Sequence, residues 1–289
     1  MSGAAPTRIT LAAGEWRAEI APRDGGVVRS LSVGGRPILR TMPEASDSPL
    51  DSACFPLVPY VNRIRDGRFV FQEQAFDLGA TPGFEPHALH GVGWLSPWEV
   101  DEASADRAVL TLRHDGDRRW PWRFEASQRF ILDEAGLTVE VEITNADARP
   151  APAGVGLHPY FHRGDDARLT MAADRVWLSD ETLIPRALVP ASELADWSQG
   201  EALHDAPFVD NAYEDWDGRA RVDGAMGGAT LTAPGVRRAH VYAPKDADFV
   251  CVEPVTHRPD ALNAPEAEDA GLVALAPGEA LRLVMTIGA

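Results

Sequence analysis

The sequence predicts an all-β fold, a large antiparallel β-sandwich, on three observations. Residues 122–144, WRFEASQRFILDEAGLTVEVEIT, alternate apolar and polar positions on both sides of a Gly-containing turn. Short strand-like runs recur along the whole chain, punctuated by 25 glycines and 23 prolines. Only one short stretch reads as helix. Period-two alternation marks strands with one buried face, and frequent turn residues between short strands suit a sandwich better than a parallel α/β sheet.

Taken in order, RITLAA, WRAEIA and VVRSLSVG open the chain as strands, and AVLTLRH precedes the long hairpin. In the hairpin, Phe124, Ala126, Gln128, Phe130 and Leu132 share one face, with Gln128 the polar exception. After DEAG, Leu137, Val139, Val141 and Ile143 do the same, alternating with Thr138, Glu140, Glu142 and Thr144. NADARPAPAG (residues 145–154) reads as a loop between strands. RVWLS, ATLTAP, RAHVYAP, DFVCVEP and ALRLVMTI complete the strand set. The helix candidate is PASELADW, with Ser192 as N-cap ahead of Glu193. No repeat or linker divides the chain, so residues 1–289 are expected to form a single domain.

Composition excludes several function classes. A 45% hydrophobic content is ample for a core, which removes disorder from consideration. A net charge of −17 disfavours a phosphate-backbone binder, so no nucleic-acid partner is expected. The same charge disfavours anionic membranes and suits a small neutral substrate. MSGAAPTRITLAAGEW lacks the apolar core of a secretory signal, and no apolar run is long enough to span a bilayer. Cys54 and Cys251 each sit among apolar neighbours and are expected as buried free thiols. A cytoplasmic protein with no membrane partner is the expectation.

Four segments interrupt the alternation with polar and aromatic groups. They are PLVPYVNRIRDGRFVF (Asn62, Arg63, Arg65, Arg68), HALHGVGWLSPWEV (His87, His90, Trp94, Trp98), GVGLHPYFH (His158, His162) and FVCVEPVTHRPDALN (Glu253). A weaker fifth, FVDNAYEDWDG, carries Asp210 beside Glu214, Asp215 and Asp217. Such segments suit a carbohydrate cleft, where indole faces cover sugar C–H surfaces and polar groups bond hydroxyls. His158 titrates near neutrality and Glu253 ends an apolar strand, so together they suit a general acid and a general base. A glycoside hydrolase would instead need two carboxylates. His87-x-x-His90 and His158-x-x-x-His162 offer metal-ligand types, but Pro159 opposes a metal-binding helix, and no metal site is expected.

These residues carry a resemblance. NRIRDGRF at 62–69, LHG at 89–91 followed by Trp94, GLHPYF at 156–161, Asp210, and EPVTHRPDALN at 253–263 occur in one order. With the late PGE at 277–279, the chain resembles the aldose 1-epimerase (galactose mutarotase) family in its shorter bacterial form. The resemblance implies a galactose mutarotase-like supersandwich, no cofactor, a monosaccharide substrate and interconversion of α and β anomers. It implies Glu253 as base, His158 as acid, and Asn62, Arg63, His90 and Asp210 as substrate-binding residues. A hexose-6-phosphate 1-epimerase and a non-catalytic sugar-binding sandwich are the alternatives, with Arg65 and Arg68 as candidate phosphate ligands in the former.

The chemistry makes electrostatic demands. His158 should be substantially protonated near neutral pH, and Glu253 should stay ionised with an arginine such as Arg63 or several donors facing it. Alternation places His162 on the same strand face as His158, as a supporting or sharing imidazole. His87 is the alternative to His90.

Overall fold

The computed structural model describes residues 7–225, 227–265 and 270–289. Among them the chain forms two large sheets, of eleven and nine strands. Helical structure among the described residues is confined to three-residue 3-10 turns. The hairpin is formed as the alternation predicts. Phe124–Asp133 pairs antiparallel with Gly136–Asn145, from Phe124↔Asn145 to Asp133↔Gly136. Gln128 is buried with its apolar neighbours because its amide donates to the Gly26 carbonyl at 3.0 Å, which satisfies the polar exception.

The centre of the eleven-stranded sheet is built from strands far apart in the chain. In spatial order they are Cys54–Leu57, Gly156–His162, Phe249–Val255, Arg238–Ala243 and Val209–Glu214. Their pleat divides their residues between two environments. Leu157, Phe161, Ala239, Val241, Val250 and Val252 face the main core, which they share with Phe130, Val139 and Leu283 of the nine-stranded sheet. Phe55, Leu57, Tyr160, Cys251 and Val255 belong to a second cluster on the opposite face. Because both faces are covered, Cys54–Leu57, Gly156–His162 and Phe249–Val255 read as nearly continuous apolar runs, into which His158 and Glu253 intrude.

Two sequence expectations need correction. PASELADW is not a helix. It makes a 3-10 turn at Ala191–Glu193 with Pro190 in the cap position and no side-chain cap from Ser192, then a second turn at Trp197–Gln199 capped by Asp196. Eight residues cannot offset helix nucleation without a packed face, and tighter turns take over. The 145–154 loop contains a strand, Ala151–Ala153, paired with Val273–Leu275. Its Pro-rich composition hid it, since Pro removes ladder donors but is tolerated in a two-stranded edge pair. Cys54 and Cys251 are buried and free.

Candidate active site

The sheet register assembles the site. Phe55 lies directly opposite His158, and the pairs Gly156↔Val255 and Tyr160↔Cys251 bring His158 opposite Glu253. Glu253 in turn faces His240, which faces Ala212. One cross-strand row therefore runs Phe55, His158, Glu253, His240, Ala212 across five strands. Two residues along, the next row on that face runs Tyr160, Cys251, Tyr242, Asp210. Period-two geometry makes this face all or nothing: a one-residue slip of any strand would turn its functional side chain into the main core.

A cavity of about 410 Å³ opens over these rows, within the ~300–1,000 Å³ common for small-molecule sites. His158, Glu253, Asp210, Asn62, Arg63 and His90 all line it. The five polar segments do converge. The His158 imidazole lies against the rings of both Phe55 (4.5 Å, 26°) and Tyr160 (4.6 Å, 19°), which restricts its orientation. Its Nε2 lies 3.2 Å from Glu253 Oε1.

The covering segment holds Asn62, Arg63 and His90 through its own backbone. Asn62 and His90 both adopt left-handed conformations, φ 54° and 57°, which these two residue types tolerate better than most. The Asn62 amide donates to His90 Nδ1 at 3.1 Å, and the His90 amide donates to the Asn62 carbonyl at 2.9 Å. Because Nδ1 accepts a backbone N–H, the neutral His90 ring carries its proton on Nε2. The Asn62 side-chain oxygen accepts from the Arg63 amide and from Arg63 Nη1. Arg63 Nη2 then reaches to 3.6 Å from Asp210 Oδ2. A short Arg63–Ile64 and Ala88–Leu89 pairing ties the two halves together.

Burial sets the charges. It pushes His90 well below its ordinary value, with the neighbouring His158, Arg63 and His240 adding to it, so His90 is a neutral donor. His158 is pushed down by burial, then by His240 and Arg40. Glu253 is pushed well up by burial and by the Asp210 charge, with Arg63 opposing. Asp210 stays low although burial acts against it, because the His240 hydrogen bond and charge, then Arg63 and His158, favour its carboxylate. The expectation of a protonated His158 beside an ionised Glu253 is therefore corrected. In a desolvated contact both groups move toward their neutral forms, which draws a proton held by the pair toward Glu253. No arginine is in ion-pair contact with Glu253 among the described residues; its one ionic partner there is His158.

Among known proteins, the profile of the aldose 1-epimerase family matches residues 7–288. This chain belongs to the aldose 1-epimerase family. The uncharacterized Escherichia coli K12 protein YphB is 32% identical over 97% of this chain and 98% of its own. The galactose mutarotase of Rattus norvegicus is 26% identical over 75% of this chain and 73% of its own. The crystal structure of an Escherichia coli K12 putative aldose 1-epimerase superposes with a TM-score of 0.87 at 30% identity, covering 98% of each chain. That likeness establishes the galactose mutarotase-like fold. A galactose mutarotase-like protein from Clostridium acetobutylicum shares the fold at TM-score 0.83 and 19% identity, over 96% of this chain and 93% of its own.

Several neighbours of the family motifs do not reach the cavity. His162 follows Tyr160 along its strand and lines separate grooves. His87 accepts the Asp66 amide through Nδ1 and lies off the cavity. With His87 and His162 elsewhere, the four histidines of the metal reading do not meet. Arg65 pairs with Asp180 and Asp260, and Arg68 pairs with Asp77, all outside the cavity. Glu214 pairs with Arg238, and Asp215 with Arg175 and Arg237. Of that acidic cluster, Asp210 alone lines the cavity.

Trp94 and Trp98, open to either a core or a sugar-stacking role from the sequence, are core and not part of the cavity lining. They are buried, stacked on Phe55 or bonded to the Gly91 and Gly93 carbonyls. Tyr160, Tyr242, Phe249, Phe84 and Phe208 supply the aromatic wall. Sequence reasoning missed Arg40 and His240. Arg40 lines the cavity with its guanidinium 3.4 Å over the Tyr160 ring, donating to the Ser52 and Leu50 carbonyls. Nothing in its local sequence marks it. His240 carries a signal: in RAHVYAP it is a polar residue in mid-strand between the apolar Ala239 and Val241.

Proposed function

We propose that this chain is an aldose 1-epimerase that interconverts the α and β anomers of a free aldose by ring opening and closure. The observation that carries this reading is the 3.2 Å contact between His158 Nε2 and Glu253 Oε1 on the cavity wall. The anomeric oxygen and the ring oxygen are bonded to the same carbon. A proton leaving one and a proton arriving at the other must therefore be handled by groups that converge within a few ångströms.

In the productive arrangement Glu253 is the carboxylate and His158 the imidazolium. Glu253 takes the anomeric hydroxyl proton, and the O–H electrons form the C1=O1 bond. The C1–O5 bond breaks, and its electron pair takes the proton from His158. The open aldehyde is left beside protonated Glu253 and neutral His158, the arrangement that burial favours. Rotation about C1–C2 presents the other carbonyl face, and closure returns both protons. General acid and general base each contribute about 10²–10⁴-fold. His90 offers its Nε2–H, Arg63 its guanidinium steadied by Asn62, and Asp210 accepts from sugar hydroxyls.

One observation favours a second reading, a hexose-6-phosphate 1-epimerase. Arg40 lines the cavity, and no ion pair to it forms among the described residues. A two-dimensional NMR exchange assay over free hexoses, pentoses and hexose 6-phosphates tests both. Exchange of free aldoses supports the first reading, and exchange confined to the phosphates replaces it with the second. Tight sugar binding with no exchange would make the chain a binding module.

A further inference from the structure

The reaction scheme leaves without a role the buried titratable group that faces Glu253. His240 is 3% exposed, stands directly opposite Glu253 on the neighbouring strand, and is not part of the cavity lining. Its Nε2 lies 2.6 Å from Asp210 Oδ1. A carboxylate only accepts, so Nε2 carries the hydrogen and donates it. Asn62 does not compete for that role. Its oxygen is committed to Arg63, which turns its amide nitrogen toward His240 Nε2 at 3.4 Å, one N–H group facing another. His240 Nδ1 is buried with no partner. The whole hydrogen-bonding output of this ring therefore goes to one carboxylate.

That carboxylate is placed to act on the acid–base pair. Asp210 is held on its second oxygen side by Arg63 at 3.6 Å, while His240 stands between it and Glu253 in the sheet. We propose that His240 is a positioning residue: its Nε2–H fixes Asp210 in place as a carboxylate, and that fixed negative charge retains the proton shared by Glu253 and His158. The sign follows from electrostatics. A negative charge nearby favours the protonated form of both partners, so removing it releases their shared proton at lower pH. The groups facing His240 are Asp210 from Val209–Glu214, Glu253 from Phe249–Val255, His158 from the strand beyond, and Asn62, Arg63 and His90 from the covering segment. Of these, Asp210 alone takes a hydrogen bond from the ring. Burial and the Asp210 charge both act upward on Glu253, while on His158 the Asp210 charge acts upward against burial, His240 and Arg40, so Glu253 is where the effect of Asp210 is read.

This inference deepens the epimerase reading, and its test separates the two. His240→Gln keeps an N–H donor at the Nε2 position, whereas His240→Leu removes it. The titration of His158 and Glu253 is followed by imidazole ¹⁵N and carboxyl ¹³C NMR in wild type, both variants and Asp210→Asn, with near-ultraviolet circular dichroism reporting the fold. Loss of the Glu253 proton should move down by about one pH unit in His240→Leu and in Asp210→Asn, and stay near wild type in His240→Gln. The basic limb of the pH–rate profile should move with it. Unchanged titration in Asp210→Asn, or an equal shift in His240→Gln and His240→Leu, overturns the proposal. If His240→Leu does not fold, Asp210→Asn and His240→Gln still decide it. Absence of anomer exchange in wild type would sink the epimerase reading and leave the NMR result standing.

Discussion

His257 Nε2 accepts the backbone N–H of Val61 at 3.1 Å, so the motif that carries Glu253 also holds the segment that carries Asn62 and Arg63. The same motif adds further ties. Asp260 donates its amide to the Arg63 carbonyl at 2.7 Å and accepts the Arg65 amide at 2.9 Å, and Asn263 donates to the Arg68 carbonyl. NRIRDGRF and EPVTHRPDALN are thus two halves of one clamp. Glu253 and Arg63 are positioned together.

Breaking that clamp should act on binding before chemistry. His257→Phe leaves the buried Val61 N–H without an acceptor, which costs about 1–3 kcal/mol. The expected outcome is a lower urea midpoint and a raised KM, with kcat less affected. A variant in which kcat alone falls would mean that the clamp does not serve Asn62 and Arg63.

His257 also gives the fold a pH dependence. Burial pushes its pKa from an ordinary 6.5 to about 4, with the Arg258 carbonyl opposing and the charges of Arg238 and Arg258 adding. Its folded pKa is depressed, so the unfolded chain binds more protons between these values. The stabilisation of the neutral ring is complete above pH 6.5 and is lost as pH falls toward 4, on the order of 3 kcal/mol in all. Urea unfolding between pH 7 and pH 4 should show a steeper loss in wild type than in His257→Phe.

Glu253→Gln and His158→Asn are near-isosteric and keep the sandwich packing around them. Each should lower kcat by about 10²–10⁴-fold in a polarimetric assay. Glu253→Gln should not lower the urea midpoint, because it removes a buried acid that the fold holds neutral. Wild-type rates in both folded variants would end the acid–base assignment.

Two glycines should resist alanine. At Gly91 (φ +73°) a Cβ would sit 2.2 Å from the Val58 carbonyl oxygen, and at Gly154 it would sit 2.0 Å from His257 Cδ2. Gly91→Ala strains a backbone that cannot yield, and the residue before it is His90. Gly154→Ala presses on the His257 ring of the clamp. Each should destabilise by about 2–4 kcal/mol in urea unfolding. Gly35, which has open space around it, is the control expected to lose less.

Much of this was legible in the chain because it is local. Alternation in 124–132 and 137–143 specifies a hairpin whose register the turn then closes, and Gln128 is the one inward position where pattern and chemistry disagree. The candidate site residues stand out because a His, an Asp or a Glu at an inward position of an apolar strand is expensive unless paired. Arg40 and the roles of His257 and Asp260 were not legible. Each acts through a partner well away in sequence: Ser52 and Tyr160 for Arg40, Val61 for His257, Arg63 and Arg65 for Asp260.

The amino-acid sequence by itself determined which side chains share a face, since a pleated strand repeats every two residues. His158 with Tyr160, Glu253 with Cys251, and His240 with Tyr242 follow from counting alone. Which strands lie side by side was decided only by the tertiary structure, because nothing local ties residue 55 to 158, 158 to 253, or 253 to 240. That choice also settled the protonation of the site. The charge on an imidazole or a carboxylate depends on how much water and which charges surround it, and those are properties of the packed sheet rather than of the residue.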